Sequence, residues 1–295
     1  MTDRCAASLS FVIPLYNRLD ATRRCLESLA ATVRGRSGEI VLVDDGSDDG
    51  TPELVRGLQE PYRWLCNETN RGFAATVNRG VQASRGPILC LLNNDTVLFD
   101  GWLEPMLELL DSAPDVGVVG NVHVDPRRGR IDHAGVFFDL SGHPEHFHRG
   151  RKHAPPSSHR ERSAASAACW ILRRETFLAL GGFDECYRNG YEDIDFCLRC
   201  RAAGLRILVS HNSRIGHDRA PTPARLEHDE ANRRLFLQRW AHVTAGLGRS
   251  EWPREYPRQR PPSWWRRNLP RTMHAFWMRT RAGRAARSTA QKCPG

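Results

Sequence analysis

The chain has no apolar run of about 18 residues, so nothing in it reads as a membrane-spanning helix. Its first residues, M-T-D-R-C-A-A-S-L-S, lack a basic stretch followed by an apolar one, so no secretory signal is expected. The dinucleotide fingerprint G-x-G-x-x-G is missing, and so is the phosphate loop G-x-x-x-x-G-K-S/T. Two common ways of cradling phosphates on glycine-rich backbone are thereby excluded. Cys197 and Cys200 form a C-x-x-C, but neither a second pair nor a paired-histidine motif accompanies it. The spacing reads as two small apolar residues on one helix face rather than as a zinc site. Nine cysteines, scattered and odd in number, fit reduced thiols and a cytoplasmic chain. No internal repeat is visible.

The formal charge of +9 is unevenly spread. Residues 251–295 hold 11 Lys+Arg against 2 Asp+Glu, which leaves 32 of each in residues 1–250. The basicity therefore belongs to the C-terminal segment, and the electrically neutral remainder argues against nucleic acid as the main partner.

Hydrophobic periodicity gives alternating strand and helix over the first half. Apolar runs at 9–15, 40–43 and 88–92 are separated by amphipathic stretches at 20–33, 52–59 and 73–84, with Asp20 and Thr51 as expected helix N-caps. Strands apolar throughout and linked by helices imply a mostly parallel, Rossmann-like α/β sheet covered on both faces. A helix at 101–111 and a strand at 116–122 follow. Residues 125–162 read as loops around one strand at 131–138. Order returns with A-A-C-W-I-L-R-R, a helix at 191–203, a strand at 206–209 and a helix from 223 to about 245. The expected organisation is one domain over 1–250, with a nucleotide-binding half at 8–122, an acceptor half at 123–250, and a basic Trp/Arg/Pro-rich tail at 251–295.

In open parallel sheets, ligands bind outside the carboxyl ends of the strands. Here those ends read P-L-Y-N, D-D-G-S-D-D-G-T and N-N-D. An aromatic ring, carboxylates and amides on one rim suit a nucleoside diphosphate, with a divalent metal neutralising the phosphates. F-V-I-P-L-Y-N, V-L-V-D-D-G-S-D-D-G-T, N-R-G-F-A-A-T-V-N-R-G, L-L-N-N-D-T, G-G-F-D-E and Y-E-D-I-D-F-C-L-R occur in the order and spacing of the family 2 glycosyltransferases. From about residue 10 to 217 the chain resembles that family, most closely the branch with rhamnosyltransferases and O-antigen or cell-wall polysaccharide enzymes.

The resemblance implies the GT-A fold and transfer of a sugar, with inversion, from a nucleotide diphosphate sugar to a saccharide or lipid-linked acceptor. Pro14 and Tyr16 would border the nucleotide, Tyr16 packing on its base, while Asp45 would hydrogen-bond the base with Asp44 in the same loop. Asn70, Arg71, Gly72 and Asn78 match segments that pass near the nucleotide, with a solvated surface arginine as the alternative for Arg71 and a buried helix-capping amide as that for Asn78. N-N-D stands where the family has D-x-D, which leaves Asp95 as the sole carboxylate for Mn or Mg. Asn94 counts among the nucleotide contacts, although both asparagines are expected to shape the loop rather than hold metal. His217 falls where some members supply a histidine to the metal, with His211 as a weaker competitor. The histidines at 143, 146, 148 and 153 read as a variable acceptor-side loop. Asp193 would be the general base, Glu192 would orient the acceptor or the base, and Asp195 would make structural contacts. Cys169 and Trp170 resemble the strand beneath the donor sugar, and Gly181, Gly182 and Phe183 the loop under the acceptor.

Tryptophan with arginine in residues 251–295 suits a bilayer interface, so the segment reads either as a peripheral contact at the inner face of the cell membrane or as a solvated tail or one packed on a partner subunit. Two rival readings differ in kind. A nucleotidyltransferase favours a Gly-rich basic loop after the first strand, where this sequence has Y-N-R-L-D. An inactive sugar- or nucleotide-binding module on the same fold would tolerate loss of Asp45, Asp95 and Asp193, all of which are present.

Overall fold

The computed structural model describes residues 9–35, 37–219, 223–259 and 269–290. One large sheet organises them. Strands β1 (Leu9–Leu15), β2 (Gly38–Asp44), β3 (Tyr62–Cys66) and β4 (Ile88–Leu92) pair in parallel in the order β4-β1-β2-β3. Beyond β4 come β11 (Cys169–Arg173), β6 (Val116–Asp125), β12 (Arg206–His217) and β10 (His159–Arg162). β6 and β12 are parallel to each other, whereas β11 runs antiparallel between β4 and β6, and β10 antiparallel on β12. Six of these eight strands therefore share one direction. Short strands β5 (Thr96–Leu98) and β7 (Arg130–His133) attach to β12 and β6, and β8 (Val136–Phe138) with β9 (Pro144–His146) makes a separate hairpin.

The interiors of β1, β2 and β4 are apolar, Ser10 apart, because both faces are covered. Phe11, Ile13, Cys90, Leu92 and Ile171 point to one core, closed by α1 (Leu19–Thr32) and α4 (Glu104–Asp111) through Leu26, Leu29, Met106 and Leu110. Val12, Leu89, Leu91, Trp170 and Leu172 point to the other, closed by α3 (Phe73–Ala83), α5 (Arg174–Ala179) and α6 (Glu192–Ala202). The period-2 alternation of a strand assigns each residue to its face. Cys197 and Cys200 sit in this second core, and burial pushes both thiols up, as expected for packing residues rather than ligands. Short α2 (Thr51–Arg56) packs over β2.

Four expectations are corrected. The helix caps are not Asp20 and Thr51: Asp49 accepts from the backbone N–H of Leu19 with one carboxylate oxygen and of Thr51 with the other, so one residue serves two helix starts. β3 falls in a stretch the periodicity left unassigned, because its half-exposed Y-R-W-L-C lacks an apolar run. The single strand expected at 131–138 is broken into β7 and β8 at Gly135, whose φ of +103° is strained for side-chain-bearing residues. A Cβ there would lie 2.5 Å from Arg162 Cγ.

The fourth concerns the C-terminal segment. Helix α7 (Pro223–Gln259) runs through the boundary expected at 250, and α8 (Leu269–Ala290) packs against it. Trp252 and Tyr256 of α7 and Ala275 of α8 are buried with Val122, Ile131, Phe137 and Phe147. Glu251 accepts from Phe138 N and Ser163 Oγ, and buried Glu255 pairs with Arg162 at 3.5 Å. The start of the expected tail thus packs into the body formed by residues 122–163. Residues 260–268 and 291–295 of that segment lie outside the described residues. Among the described residues, no helix is long and apolar enough to cross a membrane.

Candidate functional site

A cleft of about 370 Å³ opens at the carboxyl ends of β1 and β4. One wall comes from the turns after those strands, the other from the loop before β11, the start of α6 and the β8–β9 hairpin.

On the first wall, Pro14 closes β1 and Tyr16 stands at the rim with its ring 45% exposed. Asn17 and Arg18 both take left-handed backbone, turning the chain sharply into α1. Asn17 clips this turn to the second loop: its N–H donates to Ser47 Oγ, and its side-chain oxygen accepts from Asp48 N. Asp45 faces the cleft, but its carboxylate already accepts from Asn67 Nδ2, Arg71 N and Gly72 N at 2.7–2.9 Å. Asp45 therefore fixes the N-R-G segment, and Asn70 of that segment reaches the cleft.

Four expected nucleotide residues stand elsewhere. Asp44 is buried beneath its loop, accepting from Ser47 N. Arg71 is outside the cleft lining, paired with Glu185 at 3.7 Å. Asn78 bonds the backbone N and O of Phe183, so it ties α3 to the G-G-F turn instead of facing a ligand. Gly72 supplies a φ of +88° at the start of α3 without lining the cavity.

At the end of β4, Asn94 lines the cleft but is held by Thr22 Oγ1 and Asn17 O, which makes it a loop-shaping residue. Asp95 is nearly buried. Its Oδ2 accepts from Arg18 Nη1 at 2.7 Å, and His217 Nε2, from the end of β12, lies 3.2 Å from Oδ1. Apart from this imidazole, Oδ1 is buried with no hydrogen-bond donor among the described residues. Burial would raise the Asp95 carboxyl, yet His217 and Arg18 hold it below the usual carboxylate range. An ionised, under-satisfied oxygen 3.2 Å from an imidazole nitrogen fits a divalent cation, since adjacent ligands at about 2.1 Å in an octahedral shell stand about 3 Å apart. Asp218, next in the chain, is braced by Arg18, Arg24 and Arg127, and its N–H donates to Asp95 O. The two candidate ligands are thus fixed relative to each other. His211 does not compete: its Nδ1 is engaged by Ser157 on the β10 side of the sheet.

The second wall presents Glu192 and Asp193 in the first turn of α6, where the helix dipole favours carboxylates. Asp193 Oδ2 accepts from Ala167 N at 3.2 Å and Oδ1 from Ile194 N at 2.8 Å. Glu192 Oε2 accepts from Gly190 N at 2.6 Å, which stiffens the turn in which Asn189 and Tyr191 take positive φ. Asp195 is buried on Arg199 and Trp240, a structural role.

The expected sugar-side residues stand away from the cleft. Cys169, Trp170, Gly181, Gly182 and Phe183 do not line the cleft. Trp170 is fully buried and packs with Phe183 and Phe196, because its position in β11 faces the second core. Gly181 and Gly182 turn the chain after α5, both with φ above +60°. The cleft instead takes Ser166, Ala167 and Ala168 from the loop before β11, and His146 from β9. His146 Nδ1 meets His133 Nδ1 at 2.8 Å, and His133 Nε2 accepts from Gly135 N and Ser166 N. With Nε2 an acceptor, neutral His133 carries its proton on Nδ1 and donates to His146; burial holds it well below the usual histidine range. Arg18 was readable from its place directly after P-L-Y-N, whereas the long-range hairpin that delivers His146 leaves no local signal.

Residues 10–181 match the sequence profile described as Glycosyl transferase family 2. The O-antigen biosynthesis protein RfbC of Myxococcus xanthus is 31% identical over 248 residues, covering 78% of this chain and 18% of that protein. An uncharacterised protein of Sinorhizobium fredii, y4gI, is 34% identical over 212 residues, covering 66% of this chain and 23% of that one. The chain spans under a quarter of the length of these two relatives. Among solved structures, GalNAc-T7 with UDP, GalNAc and Mn2+ superposes with a TM-score of 0.60 at 20% identity, over 73% of this chain and 44% of that one. The mannosyltransferase PcManGT from Pyrobaculum calidifontis, in complex with GDP-Man and Mn2+, gives 0.59 at 18% identity over 98% and 81%. These likenesses establish the fold. With the profile covering more than half of its residues, the chain belongs to glycosyl transferase family 2.

Proposed function

We propose that the chain is an inverting glycosyltransferase that moves a sugar from a nucleoside diphosphate sugar to a hydroxyl of a saccharide or lipid-linked glycan. One observation carries the reading: Asp95 with His217 on one wall and Asp193 on the other share a single cleft whose rim holds Tyr16. Tyr16 offers a ring for the base, and Asp45 holds the loop that brings Asn70 alongside. Asp95 and His217 would hold Mn or Mg, which when bound neutralises charge on the departing diphosphate. Asp193, braced by Ala167 N, takes the proton of the attacking hydroxyl, and Glu192 keeps its turn rigid. Direct displacement on the face away from the diphosphate inverts the anomeric centre. PcManGT is in complex with GDP-Man, and GalNAc-T7 holds UDP and GalNAc, which supports the nucleotide-sugar assignment.

Peripheral membrane contact at the cytoplasmic face is part of the proposal. Leu269, Met273, Phe276 and Trp277 are exposed at helical spacing on α8, and residues 269–290 contain arginines but no acid. Each basic residue near an anionic leaflet contributes about 1 kcal/mol. A panel of UDP-, GDP- and dTDP-sugars, scored by nucleoside diphosphate and glycoside formed with manganese or with chelator, tests the assignment. Release of pyrophosphate would move the chain to nucleotidyl transfer, and no turnover with tight nucleotide binding would make it a binding module.

A further inference from the structure

Arg18 occupies a position that the proposed transfer leaves unexplained. Its guanidinium lies on the very carboxylate assigned to the cation, with Nη1 at 2.7 Å from Asp95 Oδ2. The same Nη1 donates to Asp218 O at 3.1 Å, and Nη2 lies 3.4 Å from Asp218 Oδ2. Arg18 lines the cleft and its side chain is 26% exposed, so the guanidinium borders the space a diphosphate would fill. Its backbone is left-handed at the tip of the β1–α1 turn, next to Tyr16. Asp218 is already served by Arg24 and Arg127, so it keeps two cationic partners if Arg18 leaves. Among the described residues, Asp95 then keeps the imidazole of His217 as its one side-chain partner.

We infer that Arg18 is a diphosphate-binding residue that is parked on Asp95 and exchanges places with the metal when the donor arrives. A dication approaching Asp95 meets a guanidinium already bound there and is repelled by it. A nucleoside diphosphate offers Arg18 a planar, bidentate partner as good as the carboxylate. Once Arg18 moves to the phosphates, Asp95 is freed for the cation, and the cation in turn compensates Asp95. Metal and nucleotide then bind with strong mutual support, and by linkage each raises the affinity of the other by the same factor. The lone carboxylate of N-N-D keeps affinity for free metal low, and Arg18 lowers it further. This inference rests on the transferase reading for the identity of the ligand.

The test is Mn2+ binding by calorimetry and by the EPR signal of free Mn2+, with and without UDP and GDP, on wild type, Arg18→Met and Arg18→Lys. Arg18→Met should bind Mn2+ alone about tenfold or more tightly than wild type, from the loss of cation–cation repulsion. In the presence of Mn2+ it should bind nucleoside diphosphate at least about tenfold more weakly, from the loss of a charge-assisted pair. The factor by which nucleotide strengthens Mn2+ binding should therefore collapse. Arg18→Lys, which keeps the charge, should leave Mn2+ alone as weakly bound as in wild type. If Arg18 only aimed the carboxylate, Arg18→Met would instead weaken Mn2+ binding about 10–100-fold, as loss of an outer-shell partner does. That sign, or an unchanged coupling factor in a variant whose melting temperature shows it folded, overturns the inference alone. Failure of wild type to bind UDP, GDP and, in the same assay, dTDP would overturn the transferase reading and this inference with it.

Discussion

Replacing Asp193 by Asn separates a catalytic carboxylate from an acid that merely suits a helix start. Asp193 accepts from Ala167 N and Ile194 N through different oxygens. A carboxamide has one oxygen, so it keeps one of these bonds and turns an N–H group toward the other donor. Losing a hydrogen bond to a charged acceptor costs about 1.5–3 kcal/mol, and losing a charge near the helix N-terminus costs about 0.3–1 kcal/mol. A structural role therefore predicts a lower melting temperature and an unchanged rate per folded molecule. A general base predicts a further fall in kcat of about 10²–10⁴-fold, which is about 2.7–5.4 kcal/mol of transition-state stabilisation. The donor KM should stay near wild type, because the proposed nucleotide contacts come from the other wall. The assay is nucleoside diphosphate release together with glycoside formation, at a temperature where circular dichroism shows the variant fully folded. A kcat within about tenfold of wild type under those conditions would refute Asp193 as the base.

Asp45→Ala removes the acceptor for three donors that shape the N-R-G segment. It should destabilise the fold by at least about 3 kcal/mol and raise the donor KM more than it lowers kcat, which urea unfolding and initial rates will show. Glu255→Gln leaves Arg162, whose side chain is 4% exposed, without its buried counter-charge; a loss of about 3–5 kcal/mol in urea unfolding is expected, and a loss below about 1 would contradict the packing of α7. Burial pushes the His148 and His211 imidazoles down to about 4. Between there and the unfolded value near 6.5 the unfolded chain binds more protons, so stability rises with pH across that window by at most about 1.4 kcal/mol per unit for each histidine, less where solvent screens it. Melting temperatures should fall between pH 7 and pH 5, and equal values would refute that assignment.

Buried parallel strands were legible because long-range and local signals agree there: L-S-F-V-I-P-L and I-L-C-L-L admit few other uses. Tyr62–Cys66 was not, because a half-exposed edge strand lacks that signature. The extent of α7 was hidden by Pro253 and Pro257, which normally argue against a helix interior. Both prolines are buried there beside Trp252 and Tyr256, so tertiary packing offsets the missing backbone bonds. In the site, motif order placed Asp95, His217 and Asp193 in one cleft. Side-chain direction was the missing information. Asp44 sits one residue and Trp170 two residues from a cleft-lining neighbour yet both face the interior, and a strand's two faces cannot be assigned to ligand and core without its partners.

The position of β11 between β4 and β6 also bears on how the protein can be divided. β4 needs β11 to cover its edge, and pairing Leu92 with Cys169 closes a loop of about 80 residues, a slow step in forming sheets of this kind. The expected half-boundary at 122 falls inside β6, which pairs on one side with β11 and on the other with β12. A fragment cut there would carry β4 with a bare edge, and its complement would carry β11 and β12 with the strand between them cut short. Both would be templates for edge-to-edge aggregation. Donor and acceptor walls are therefore not separable modules, and grafting one wall from a relative requires carrying the strands of the other.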